Sequence, residues 1–90
     1  MFSHDFALKD QILRSAVSIS SNIAEGCDRS TQKEFSRFLD IARGSTAELR
    51  TQIDIAAAIG YIENEKFSSL DERCKKISAM ITNLKKSLKK

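Results

Sequence analysis

TQKEFSRFLDIARGSTAELRTQIDIAAAIG, Thr31 to Gly60, reads as one long helix. Apolar or small residues recur at Phe35, Phe38, Leu39, Ala42, Thr46, Leu49, Ile53 and Ala56, the i, i+3, i+4, i+7 spacing of a buried stripe. Thr31 is a good N-cap with Glu34 three residues on, so the start carries a capping box. Gly60 supplies the stop, since glycine enters the left-handed C′ conformation at no steric cost. The rise per residue makes this helix roughly 43 Å long, a spine for a small domain. Ile41, Ile55 and Ile59 lie off the main stripe. A helix apolar on more than one face expects neighbours on more than one side.

On the N-terminal side, Leu8 to Glu25 reads as a helix with an apolar line at Leu8, Ile12, Ala16, Ile19 and Ile23, widened by Leu13 and Val17. A strand is the rival reading of the serine-rich segment SAVSISS, but the helical spacing extends on both sides of it. Residues Met1 to Ala7 read as a loop or frayed lead-in, and Gly26 as the stop. On the other side, Glu65 to Leu88 carries Phe67, Leu70, Cys74, Ile77, Ile81, Leu84 and Leu88 in steps of 3 and 4, a heptad seam. Both connections are short, as between antiparallel neighbours. The expected fold is all-α: an antiparallel up-down helical bundle, with helices at 8–25, 31–59 and 65–88 in a single domain spanning 1–90. The spine carries more apolar surface than two partners cover, so either a fourth helix is missing or copies associate.

Composition agrees. The 90 residues include no proline and 3 glycines, too few turn residues for an all-β chain. Cys27 and Cys74 belong to no metal-ligand spacing and read as small, partly buried apolar residues; with a lone His4, no metal and no cofactor are expected. No apolar run approaches the roughly 20 residues of a membrane span, and no signal-peptide pattern opens the chain, so a cytoplasmic protein is expected. Net charge is +3, unevenly spread. From Arg73 onward there are 7 basic residues and no acid, against 8 basic and 12 acidic residues before it. Such asymmetry points to a polyanionic partner.

The first helix has a polar line at Gln11, Arg14 or Ser15, Ser18, Asn22 and Glu25; the spine has Ser45, Glu48 and Gln52, with Arg43 beside them. Read as chemistry, Glu25 and Glu48 would form a carboxylate pair; read as structure, the residues set helix register or face water. No histidine, Asp-x-Asp or Glu-x-x-His accompanies the pair, so the structural reading prevails and no catalytic residue is expected. Gly44 in mid-helix suggests close approach of a neighbouring backbone. The candidate nucleic-acid contacts are Arg29, Lys33 and Arg37 around the start of the spine, Arg43 and Arg50 one heptad apart, and Lys75, Lys76, Lys85 and Lys86 on the last helix. Asp40 and Asp54 are the expected ion-pair partners of Arg43 and Arg50. No stacking platform or sequence-reading motif is evident, so binding would follow shape and charge.

AVSISSNIAEG (Ala16–Gly26), Arg29, KEFSRFLDIARGSTAELRTQI (Lys33–Ile53) and IGYI (Ile59–Ile62) together resemble the four-helix-bundle proteins of the 23S rRNA intervening-sequence type. The accessory variability proteins of diversity-generating retroelements resemble the same family. The resemblance implies an antiparallel four-helix protomer that forms a ring, typically a pentamer, encoded in ribosomal RNA gene insertions or elsewhere in bacterial genomes. It marks Asn22, Glu25, Gly26, Arg29, Arg43, Gly44, Ser45 and Glu48 as family-motif positions, with fold and packing as their chief role. In the retroelement branch it implies nucleic-acid binding and association with a reverse transcriptase. Two departures stand out. The family's first helix would precede FSHDFALKDQI and is expected to be absent, and the usual proline of its SIPSN segment is Ser20. A truncated gene, a late start codon or a gap filled by a neighbouring copy would each explain the missing helix. The expected function is that of a non-enzymatic homo-oligomer binding structured RNA or DNA. The alternative is a protein-docking accessory subunit or scaffold, such as a reverse-transcriptase partner.

Overall fold

The structure, a computed structural model, describes the backbone of residues 2–88 and side chains from Ala7 to Leu88. Three helices follow one another, α1 (Phe2–Cys27), α2 (Gln32–Ala58) and α3 (Asn64–Leu88), and the described residues include no strand. The spine forms as its sequence dictates. Thr31 is extended, and its hydroxyl accepts the Glu34 N–H at 3.1 Å. At the far end Gly60 takes φ 85°, and the Tyr61 and Gly60 amides donate back to the Ala56 and Ala57 carbonyls at 2.8 and 3.1 Å. These bonds satisfy carbonyls that the helix end would otherwise leave bare.

Two expectations about α1 need correction. It is helical from Phe2, not Leu8, because no glycine or proline interrupts the chain there and helix propensity carries the lead-in. Nor does Gly26 stop it. Gly26 is buried inside the last turn, facing α2, where a Cβ would lie 2.7 Å from Phe35 Cδ1 and 2.9 Å from Phe38 Cβ. Its part is close packing. Gly44 is the converse: it is exposed, and a Cβ there would meet nothing within 4 Å, so no neighbouring backbone explains it.

Side-chain bonds give the helix directions. Ser18 meets Ser45 at 2.8 Å and Gly26 meets Phe35, so α1 and α2 are antiparallel. Asp40 pairs with Lys85 and Arg50 with Asp71, so α3 is antiparallel to α2. Both outer helices pack on α2, whereas α1 and α3 do not approach each other along their backbones. The Cα envelope measures 47 × 24 × 13 Å, elongated along the helices. The stripe on α2 faces inward as expected: Leu39, Ala42, Thr46, Leu49, Ile53 and Ala56 are all buried. Ile19 of α1 and Cys74 of α3 join Leu49 and Ile53 in one cluster, and Leu39, Ala42 and Ile81 form a second. Ile41, Ile55 and Ile59 remain exposed on the outer face of α2. Cys27 is exposed, unlike the partly buried residue expected, because it lies one position past the packed Gly26.

Candidate nucleic-acid interface

The antiparallel register sorts the basic candidates by height along the bundle. Arg29 sits in the turn after α1, Lys33 and Arg37 in the first turns of α2, and Lys85 and Lys86 in the last turn of α3. The Lys85–Asp40 bridge brings that last turn beside the start of α2. One end of the bundle therefore gathers Arg29, Lys33, Arg37, Lys85 and Lys86, with Arg43 just above them. Arg50, Lys75 and Lys76 lie farther along, at the level of Asp71.

Their availability differs. Arg29 is held by Glu25 at 3.1 Å and lies over the Phe38 ring, 4.8 Å from its centroid. Arg43 and Lys85 share Asp40. Lys75 reaches Asp71 and Glu72 at 3.6 and 3.7 Å. Among the described residues Lys33, Arg37, Lys76 and Lys86 have no carboxylate within ion-pair distance, and all four are exposed. Arg73, one turn before Lys76 on α3, is equally exposed and unpaired. It was not among the candidates, although its i, i+3 spacing from Lys76 is a signal that could have found it. Lys89 and Lys90, part of the basic tail, lie outside the described residues.

Arg50 is committed elsewhere. Its expected partner was Asp54, one helical turn away, yet its guanidinium donates across to α3, from Nε to Asp71 Oδ1 at 3.0 Å and from the second nitrogen to Oδ2 at 3.5 Å. A two-point bridge between helices satisfies the planar guanidinium better than a single contact along one helix. The hydrogen bond from Arg50 holds the Asp71 carboxyl below the usual carboxylate range, against a smaller opposing effect of burial. The same bond raises Arg50. Beside it, burial pushes the Cys74 thiol up. Ala47, Arg50, Thr51, Asp54, Phe67 and Asp71 line an open cleft here, with two carboxylates to one guanidinium. It is no anion site.

The depressed Asp71 pKa has a pH consequence. A carboxyl whose folded pKa lies below its unfolded value, about 3.9, contributes stability above that value and loses it as pH falls through the folded pKa. Thermal melts of wild type and Asp71→Asn should differ at neutral pH and converge below about pH 4. An equal gap at every pH would show that the bridge contributes no proton-linked stability.

Of the motif positions, Gly26, Ser45 and Asn22 belong to the α1–α2 seam. Asn22 Nδ2 donates to the Ser18 carbonyl at 2.8 Å and to its hydroxyl at 3.1 Å, and that hydroxyl is bonded to Ser45. Gln52 Oε1 is buried without a partner among the described residues. Glu25 and Glu48 are not brought together. Glu25 adjoins Gly26 at the level of Phe38, while Glu48 lies beyond Ser45, roughly 15 Å along α2 from Phe38. The carboxylate-pair reading therefore finds no geometry.

Comparison with known proteins adds the following. A family model described as 23S rRNA-intervening sequence protein matches residues 1–83. No curated protein matches the chain. A solved crystal structure of a protein of unknown function from the S23 ribosomal protein family of Bacteroides thetaiotaomicron VPI-5482 superimposes with a TM-score of 0.84 at 26% identity. The match covers 88% of this chain and 73% of that one. No helix among the described residues is long and apolar enough to cross a membrane.

Proposed function

Since the chain belongs to the 23S rRNA-intervening sequence protein family, we propose that it is a non-enzymatic helical-bundle protein that binds structured RNA through the basic end of its bundle. The observation that carries this reading is the meeting of Lys33, Arg37 and Lys86 at one end, exposed and without carboxylate partners among the described residues. Cations on two rigid helices, α2 and α3, form a surface that phosphates can approach without the chain first paying to order it. Arg29, Arg43 and Lys85 stand around this group and can exchange an exposed carboxylate for a phosphate. Lys75 and Lys76 extend the surface along α3, while Arg50 stays with Asp71. With no aromatic platform on this surface, recognition rests on backbone shape and charge, and duplex DNA competes according to how well its geometry fits. A homo-oligomer would present the basic end in several copies and raise the apparent affinity.

Fluorescence anisotropy with a labelled RNA hairpin tests the reading. Affinity should fall steeply as salt rises from about 50 to 200 mM. Reversing charge in the triple variant Lys33→Glu, Arg37→Glu, Lys86→Glu should weaken binding by an order of magnitude or more and flatten the salt dependence by about one unit of slope per lost phosphate contact. Lys66→Glu, at the opposite end, should leave binding unchanged. Equal affinity of the triple variant and wild type would sink the reading. The second reading, docking on another protein, is favoured by the exposed Ile41, Ile55 and Ile59 of α2. Absence of hairpin binding at low salt would transfer the assignment to it.

A further inference from the structure

At the basic end Arg29 is seated differently from its neighbours. Its guanidinium carbon lies over the Phe38 ring, 4.8 Å from the centroid, and its Nη2 donates to Glu25 Oε1 at 3.1 Å. The chain builds this arrangement from below and from the side. A methyl at Gly26 would lie 2.9 Å from Phe38 Cβ, so its absence lets α1 come down on the root of the ring. The turn that follows is tied back to α1: the Asp28 and Arg29 amides donate to the Glu25 and Gly26 carbonyls at 3.2 and 3.1 Å. Phe38 is half-buried under this turn, while the Arg29 side chain keeps 42% of its surface exposed. The ring is covered, and what it presents to solvent is the cation on top of it.

A guanidinium is a flat, delocalised cation that stacks on aromatic faces. With Phe38 against one face and Glu25 on one edge, the exposed part of Arg29 includes the opposite face. That face is ordered before any ligand arrives, so a flat group stacking on it costs little to seat. Unpaired nucleobases stack on arginine planes as they do on aromatic rings. Bases inside a duplex are stacked on one another and offer no free face. Arg37, next to Phe38 in sequence, and Lys33, one turn earlier, put two exposed cations without carboxylate partners among the described residues beside the stack. We propose that the exposed face of Arg29, supported by Phe38 and Glu25, binds one unpaired nucleobase of an RNA whose backbone is held by Lys33, Arg37 and Lys86.

This assignment rests on the basic end being an RNA surface, and it narrows the ligand to RNA with a bulged or looped-out nucleotide beside a stem. Exchange of Glu25 for a phosphate would use the edge of the guanidinium, whereas stacking uses its face. A lysine can do the first and not the second, which separates the two roles of Arg29. Every base has a π-face, so the identity of the unpaired base matters little. Phe38 and Glu25 are positioning residues, since they act on the base through Arg29.

Fluorescence anisotropy on the full chain at low salt tests it, with a labelled RNA stem carrying one bulged adenosine and the same stem fully paired. Wild type should bind the bulged stem tighter by about fivefold or more, the low end of what one stacked base contributes. Arg29→Lys keeps the charge, removes the plane and sits in an exposed turn, so the protein stays folded; it should bring the two affinities together. Phe38→Leu, which keeps an apolar side chain on Gly26 but removes the ring, should do the same. A fluorescent adenine analogue at the bulge reads the stack directly: its emission should be quenched on saturation with wild type and stay near the free value with Arg29→Lys. The triple variant Lys33→Glu, Arg37→Glu, Lys86→Glu should weaken both stems in proportion and keep the preference. Equal affinity of wild type for the two stems overturns the stack and leaves the RNA surface standing. A preference that survives Arg29→Lys comes from the shape of the bulged stem and overturns it too. Binding of neither stem removes the RNA surface and the stack together.

Discussion

Leu39→Ala should cost about 2–5 kcal/mol of folding stability, the range for truncating a fully buried leucine. Leu39 is 0% exposed and sits with Ala42 and Ile81, with Ile23, Phe35, Ile77 and Leu88 packed around it. Four of these neighbours, Ile23, Ile77, Ile81 and Leu88, stand on helices other than its own, so one deletion opens a cavity in the junction of α1, α2 and α3. A domain of this size has roughly 5–13 kcal/mol in total at the usual per-residue figure, so the loss is a large share of it. In a thermal melt the midpoint should fall by about 10 °C or more, or the cooperative transition should disappear. Ile55→Ala, on the exposed outer face of α2, should change stability by less than about 1 kcal/mol. A Leu39→Ala protein as stable as wild type would mean that the three helices are not joined through this cluster.

The second large effect is at Gly26. Alanine normally favours a helix by about 1 kcal/mol over glycine, so local propensity predicts that Gly26→Ala stabilises the protein. The packing predicts the opposite. The new methyl would press to 2.7 Å on the Phe35 ring and 2.9 Å on Phe38 Cβ. A ring edge can swing aside, but a Cβ moves only with its backbone, so α1 and α2 must separate at this end. Overpacking of this kind costs about 1–3 kcal/mol, offset in part by the propensity gain. The midpoint should drop by several degrees, and Gly26→Leu should be worse than Gly26→Ala. Gly44→Ala is the internal control: with nothing within 4 Å, propensity acts alone and the protein gains about 1 kcal/mol. If both glycine variants were stabilised alike, the close seam between α1 and α2 would be refuted.

What could be read in the chain beforehand follows the range of the interactions involved. The spine was legible because its signals are local: the stripe from Phe35 to Ala56, the Thr31 cap and the Gly60 stop act within a few residues. Gly26 and Gly44 carry the same letter with different surroundings, and only the partner helix tells them apart. The loop expected over Phe2 to Ala7 failed for another reason. A segment without breakers joins an existing helix at little cost, since propagation lacks the penalty of nucleation. At the candidate interface the basic residues could be counted but not sorted. Arg50 was expected to pair with Asp54 on its own helix, and its engagement with Asp71 instead depends on the α2–α3 register. The gathering of Lys33, Arg37 and Lys86 likewise required the antiparallel α2–α3 turn.

The central place of α2 also governs how the chain reaches its fold. Each outer helix packs on the helix next to it in sequence, and α1 and α3 need not find each other's backbones. The topology is two αα-hairpins sharing one arm. Backbone contacts between helices form only between neighbours in sequence, so contact order is low and folding belongs in the microsecond-to-millisecond range of helical bundles. Either hairpin can form first, with α2 as the template for the other. A substitution confined to α3 should chiefly speed its detachment, whereas one in the inward stripe of α2 should slow folding by both routes.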